Sequence, residues 1–282
     1  MDDKRKGLLF LHSAILIFGG TGLFAKLIAL PATDITVWRS FIAVGVILAL
    51  LLIRRRPLAL QRPRDALIMA LGGSLLGLHW ATYFQAMQVA GVAVGMVAMY
   101  TYPIMIVFLE PLFKGHRPHR SDVLCALVML AGIVLLVPEF DLDNNITQGV
   151  CWGVLSAALF ALRNVIQGHY LKGYSGETSI LYQGVLAGLV IIPFMTTDPR
   201  AVAADDLLKL LLLGALFTAL PHSFFANSLR YLKAKTVGLI GCLQPVYGTL
   251  LAFLLLAEEP GLMTLLGGAI IIGTAAFETY RS

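Results

Sequence analysis

Residues 83–118 read YFQAMQVAGVAVGMVAMYTYPIMIVFLEPLFKGHRP, and residues 225–260 read FANSLRYLKAKTVGLIGCLQPVYGTLLAFLLLAEEP. Laid over one another they align without a gap, with Pro103 on Pro245 and Pro118 on Pro260. The same offset of 142 residues extends outward to the rest of the chain. Gly7 falls on Gly149, Phe18 on Phe160, Pro57 on Pro199, Gly72 on Gly214 and Leu78 on Leu220. Scattered glycine and leucine matches would mean little. A constant register that carries three matched prolines marks an internal duplication, with a first copy over 1–140 and a second over 141–282.

Each copy is written for lipid. Hydrophobic residues make up 58% of the chain and charged residues 13%, where a soluble surface needs about 25% charge. Apolar runs long enough to cross a bilayer recur at about 7–29, 35–53, 66–89, 92–113, 121–138, 148–170, 178–195, 207–229, 236–257 and 262–280. The expected fold class is therefore an all-α membrane protein of ten transmembrane helices. The apolar run that follows the charged Met1–Lys6 is too long for a signal-peptide core, so it should remain as the first span. Cys125, Cys151 and Cys242 are isolated apolar-context thiols, and no metal or cofactor motif accompanies them.

The formal charge of +5 is distributed by side of the membrane, not as a nucleic-acid surface. Lys4 to Lys6, Arg54 to Arg64, Lys114 to Arg120, Lys172, Arg230 to Lys235 and Arg281 all fall on one side of a ten-span chain. The alternate connectors carry Arg200 as their single basic residue, together with Asp34, Asp141, Asp198 and Glu258 among other acids. The positive-inside rule then predicts cytoplasmic N- and C-termini in the cytoplasmic (inner) membrane. Five spans per copy is an odd number, so the second copy enters from the opposite side. Two inverted five-helix repeats offer two packings of similar energy, one open to each side.

Small residues at four-residue spacing, Gly73/Gly77, Gly91/Gly95, Gly149/Gly153 and Gly184/Gly188, suit close helix contacts. Pro103 and Pro245 interrupt spans 4 and 9 at matched positions and predict kinks there, as static bends or as hinges.

The sequence resembles the drug/metabolite transporter superfamily, and in particular its ten-helix EamA-like permeases, over essentially its whole length. The resemblance is carried by Val37-Trp38-Arg39-Ser40-Phe41-Ile42-Ala43, Tyr83-Phe84-Gln85-Ala86-Met87, Tyr102-Pro103 with Leu109-Glu110-Pro111, and Leu243-Gln244-Pro245 with Glu258-Glu259. It implies a cytoplasmic-membrane carrier of small metabolites, often an exporter, with a central cavity lined mainly by helices 1, 3, 4, 6, 8 and 9. The second copy departs from the pattern where Leu181 stands in place of the arginine expected opposite Arg39.

Polar groups at membrane depth are costly and usually functional. His79, Trp80 and Tyr83 near the middle of span 3, and His222 in span 8, form one such set. The histidines either line a cavity, where they would bind substrate or couple protons, or sit neutral against a neighbouring helix. Trp80 alone would suit packing or lipid. Arg163 and Asn164 in span 6, Tyr100 in span 4, and Gln244 and Tyr247 in span 9 complete the candidate substrate-binding residues. Arg163 either snorkels or borders a wet vestibule. Arg39, five residues after Asp34, reads as a structural charge that snorkels or pairs with it, and Glu110, four before Lys114, as one paired locally.

An enzyme is not expected. There is no HExxH, Gly173-Tyr174-Ser175-Gly176 is mis-spaced for a nucleophile elbow, and no catalytic residue or cofactor is assigned. Mid-membrane cations among aromatics and amides suit carboxylate-bearing, partly apolar solutes. The expected function is thus a secondary transporter, an exporter of amphipathic metabolites such as amino acids or related organic acids. A lipid or lipid-linked sugar translocase, or a carrier of organic cations and quaternary amines, are the alternatives. The expected partners are a small-molecule substrate and membrane lipid, with no nucleic acid, in a monomer or homodimer.

Overall fold

The computed structural model describes residues 3–115, 119–137, 141–171, 173–228, 231–232 and 234–281. The described chain is 84% helical and holds no strand. Among the described residues, eight helices are long and apolar enough to cross a membrane: α1 (Asp3–Leu27), α2 (Ala32–Ile53), α3 (Pro63–Ala90), α4 (Val92–Phe113), α6 (Asn145–Tyr170), α7 (Gly176–Phe194), α8 (Ala204–Phe225) and α10 (Leu262–Tyr280). Two shorter ones complete the ten. α5 is Arg120–Leu136, of 17 residues, and α9 is assembled from Ala234–Gly241 and Gln244–Leu256.

The halves repeat in detail. α4 is also two pieces, Val92–Met99 and Tyr102–Lys114, and all four boundaries shifted by 142 land on those of α9. α6 starts at Asn145 as α1 starts at Asp3. Gly115 (φ 72) and Ala257 (φ 52), again a matched pair, end the second pieces in left-handed backbone. Glycine adopts this freely, whereas an L-residue pays about 1–2 kcal/mol, so the repeat holds Ala257 in a conformation its side chain disfavours.

Packing exchanges the halves. α3 packs on α6 as α8 packs on α1, and α4 packs on α6 as α9 packs on α1. α2 meets α7 and α5 meets α10, pairs that map onto themselves. A two-fold axis in the membrane plane produces this pattern. The closest approaches are made by glycine: a Cβ on Gly77 would lie 2.6 Å from the Ala187 carbonyl of α7, and one on Gly73 2.7 Å from that of Gln183. Leu124 of α5, Leu254 of α9 and Leu262 of α10 are more than 60% exposed, as lipid-facing positions require.

The prolines act one turn from where a simple kink would put them. The breaks lie at Tyr100–Thr101 and Cys242–Leu243, and Pro103 and Pro245 sit in the first turn of the resumed helices. A first-turn proline has no intrahelical acceptor to forfeit, so the break moves upstream. Pro245 still leaves the Gly241 carbonyl without an amide donor, and the Tyr100 hydroxyl donates to it at 2.6 Å. Pro221 does the same to Phe217, whose carbonyl accepts from the Thr21 hydroxyl at 3.2 Å. Both of these carbonyls of the second half are thus capped by a hydroxyl of the first.

Candidate functional site

Between the halves lies a cavity of about 800 Å³. Its walls come from α1, α2, α3, α4, α6, α7, α8 and α9, while α5 and α10 stand outside. Helices 2 and 7 thus join the six that the family resemblance implies, α2 through Arg39 and α7 through Gly176 and Ile180.

Eight of the nine substrate-binding candidates line this cavity: His79, Trp80, Tyr83, Tyr100, Arg163, Asn164, His222 and Gln244. Tyr247 does not. It turns toward α1, where a Cβ on Gly19 would lie 2.9 Å from its own Cβ, and packs with the apolar cluster of Leu11, Ile15 and Val237. The cause is local, since the missing side chain at Gly19 lets the α9 backbone approach α1 closely there.

The histidines are held alike. His79 Nδ1 faces the Ser156 hydroxyl at 2.7 Å and the Ser156 carbonyl at 3.1 Å. The Ser156 hydroxyl donates its proton back to the His79 carbonyl at 3.0 Å, which makes Nδ1 the donor in the pair. His222 Nδ1 donates to the Thr218 carbonyl at 2.7 Å. Each ring also meets a phenylalanine: Phe160 lies 4.6 Å from His79 and Phe18 lies 4.8 Å from His222, between ring centroids. Phe18 and Phe160 are a matched pair in the repeat, yet His222 matches Trp80, one residue past His79. The π turn at Ala215–Ala219 resolves the mismatch. It takes up one extra residue, so His222 reaches the helical position that His79 holds without one.

The two arginines are treated differently. Arg163 does not snorkel: Nε and Nη2 donate to Gln183 Oε1 at 2.8 and 2.6 Å, and Nη1 donates to Asn164 Oδ1 at 3.0 Å. Gln183 is fully buried and its amide nitrogen donates on to Gln167 at 3.3 Å. Arg39 is not paired with Asp34, whose carboxylate accepts from the Thr196 and Thr197 amides at 3.2 and 2.9 Å. It lies over the Trp80 ring instead, 4.3 Å from the centroid, inside the cavity wall. The reading of Arg39 as a structural charge that snorkels or pairs with Asp34 is corrected by that geometry. Trp80 is 5% exposed and faces inward, not to lipid. Glu110 is absent from the wall, and the Lys114 side chain expected beside it lies outside the described residues. Among the described residues no carboxylate lines the cavity.

The two ends of the bundle differ. At the end bearing the basic connectors, the cavity wall includes the exposed Gly168 and Gly176 together with Tyr174, so the cavity opens there. Tyr174 donates to Asp65 at 2.6 Å, and burial followed by that bond raises its phenol above the usual range. The other end is stitched shut. Glu258 accepts from the Val92 and Ala93 amides at 3.0 and 3.2 Å, a carboxylate at the N-terminus of α4. Lys26 donates to the Gln88 carbonyl at 2.8 Å. A separate recess of about 560 Å³ at this end, bordered by Lys26, Gly91 and Glu258, shares no residue with the central cavity.

Sequence reasoning missed Gln183, Tyr102, Phe160 and Phe18 as wall or support residues. The signals were available: a lone glutamine inside the apolar run of α7, and a phenylalanine pair preserved by the repeat.

An inverted pair of five-helix bundles around a central cavity, open at one end and closed at the other, defines a polytopic membrane carrier. The chain belongs to the EamA-like transporter family, whose model matches it twice, over residues 5–137 and 147–279. It is 26% identical to the pseudopaline exporter CntI of Pseudomonas aeruginosa over 274 residues, 96% of this chain and 95% of that one. It is 22% identical to the uncharacterized transporter YxxF of Bacillus subtilis (99% and 91% covered) and 25% identical to the protein RarD of Salmonella typhi (93% and 90%). One crystal structure, 23% identical, shares the fold with a TM-score of 0.65, covering 98% of this chain and 99% of the other. The protein is a multi-pass membrane transporter of this family and not an enzyme.

Proposed function

We propose that the protein exports small amphipathic metabolites bearing carboxylates, such as amino acids or related organic acids, by alternating access. The observation that carries this reading is the makeup of the wall: two arginines, two histidines and a set of aromatic rings, with no acid among the described residues. Such a wall offers donors to an anion and ring faces to an apolar body, and it offers a permanent cation no counter-charge. The name of the pseudopaline exporter supports the outward direction.

The positive-inside rule orients the open end, with both termini, toward the cytoplasm of an inner membrane, so the conformation is inward-open. The units of exchange are the two copies, 1–140 and 141–282, and the breaks at Pro103 and Pro245 serve as hinges. The histidine Nε2 atoms leave a place for proton coupling, and monomer and homodimer are both compatible with the lipid-facing surface.

The test is a competition screen of purified protein in liposomes across amino acids, organic acids, quaternary amines and nucleosides, at two pH values. Flux competed by the organic acids and amino acids is the expected result. Preference for quaternary amines would overturn the charge argument, and no flux for any soluble solute would favour a lipid or lipid-linked sugar translocase.

A further inference from the structure

Arg39 is a charge with no counter-charge or acceptor among the described residues. It is 3% exposed, and its Nε and Nη1 are covered without an acceptor there. Its guanidinium is held by ring faces, 4.3 Å from the centroid of Trp80 and 5.0 Å from that of Phe84. The Tyr83 hydroxyl is buried as well. Stacking offsets part of the cost of desolvating the cation. It leaves the donor edge bare, and a bare charged donor at membrane depth is expensive until an anion or water meets it.

Arg163 is hydrogen-bonded but not neutralised, because Gln183 and Asn164 carry no charge. The two guanidinium groups enter the cavity from opposite ends. Arg39 lies seven residues from the start of α2 at Ala32, on the closed side, and Arg163 seven residues from the end of α6 at Tyr170, on the open side. Helix rise puts each about 10 Å in from its end. The same wall carries the rings of Trp80, Phe160 and Tyr102. The cavity therefore has two cationic groups and an aromatic lining.

We propose that the transported solute carries two anionic groups separated by a short apolar stretch, and that Arg39 binds the leading one while Arg163 holds the trailing one. This rests on the carrier reading above and narrows its substrate class to dicarboxylates and their amino derivatives. A fixed, stacked guanidinium with free N–H groups is preorganised for a planar carboxylate, which a lysine at the same place would not match. Loading both groups removes the net charge of the wall and with it the cost of drying the cavity. The loaded carrier should then change its access more readily than the empty one.

The test is counterflow in proteoliposomes, competed by short α,ω-dicarboxylates, by acidic amino acids and by the monoamide of each. Wild-type protein should be competed by each diacid at a concentration about tenfold below that for its monoamide, the discrimination of one charged contact. Arg39→Gln should abolish that preference while still exchanging monoamides, and Arg39→Lys should retain only part of it. Equal competition by diacid and monoamide in the wild type overturns the proposal, as does an unchanged preference in Arg39→Gln. Should Arg39→Gln prove inactive toward everything, the wild-type comparison decides alone. Flux confined to monoanions overturns this proposal only, flux confined to neutral solutes or cations overturns the carboxylate reading with it, and absence of all flux overturns the carrier reading as well.

Discussion

At the scale of single residues, the site is built from amides that position charge without cancelling it. Gln183 accepts two guanidinium donors from Arg163 at 2.8 and 2.6 Å, and it does so from complete burial. A hydrogen bond to a charged group contributes about 1.5–3 kcal/mol, and that positioning would be lost in Gln183→Leu. We expect the KM for an anionic substrate to rise about tenfold or more in Gln183→Leu with the protein still folded. Gln183→Glu should also weaken anion transport, because it pairs the arginine instead of presenting it. An unchanged KM in both variants would remove Arg163 from the binding site. The arginine itself was legible in the sequence as a cation inside a span, but its partner was not. Periodicity places a glutamine on α7 without saying which neighbouring helix it faces, and only the packing of α7 on α2 and α3, which turns Gln183 to Arg163 and Gln167 of α6, settles that. Arg39 shows the reverse case. Its proximity to Asp34 in sequence suggested a pair, yet the Asp34 carboxylate accepts from the Thr196 and Thr197 amides of a distant connector.

At the scale of elements, glycine spacing and proline placement decide how helices approach. Gly77 has the Ala187 carbonyl 2.6 Å from where a Cβ would stand, and backbone cannot yield as a side-chain tip can. Gly77→Val should therefore destabilise the α3–α7 contact by about 1–3 kcal/mol, the usual cost of overpacking. Gly45→Ala, where nothing lies within 4 Å, should be neutral or stabilising by up to about 1 kcal/mol through helix propensity. Thermal unfolding in detergent distinguishes them, and equal effects would show that close packing at Gly77 does not matter. The ten spans and their inversion were readable from hydropathy, charge and the 142-residue offset, since all three are properties of the chain itself. The π turn of α8 was not. It goes with the Phe217 carbonyl, which Pro221 leaves without an amide donor and to which the Thr21 hydroxyl donates, a contact between halves that no local pattern records.

At the scale of the whole molecule, the two copies form one cavity that is open at the basic end and latched at the other by Glu258 and Lys26. Exchanging the packings of the two copies would give the counterpart state of the proposed alternating access, with the latch released and the basic end closed. A carrier working in this way exposes one wall residue to each side in turn. Asn164 lines the cavity and is partly accessible, so Asn164→Cys, in a protein whose Cys125, Cys151 and Cys242 have been replaced, reports it. The measurement is labelling by an impermeant thiol reagent applied to either face of oriented vesicles, with and without transported solute. We expect labelling from the face of the basic connectors at rest, and labelling from the opposite face once solute drives turnover. Labelling from one face alone, whatever the solute, would contradict alternating access through this cavity.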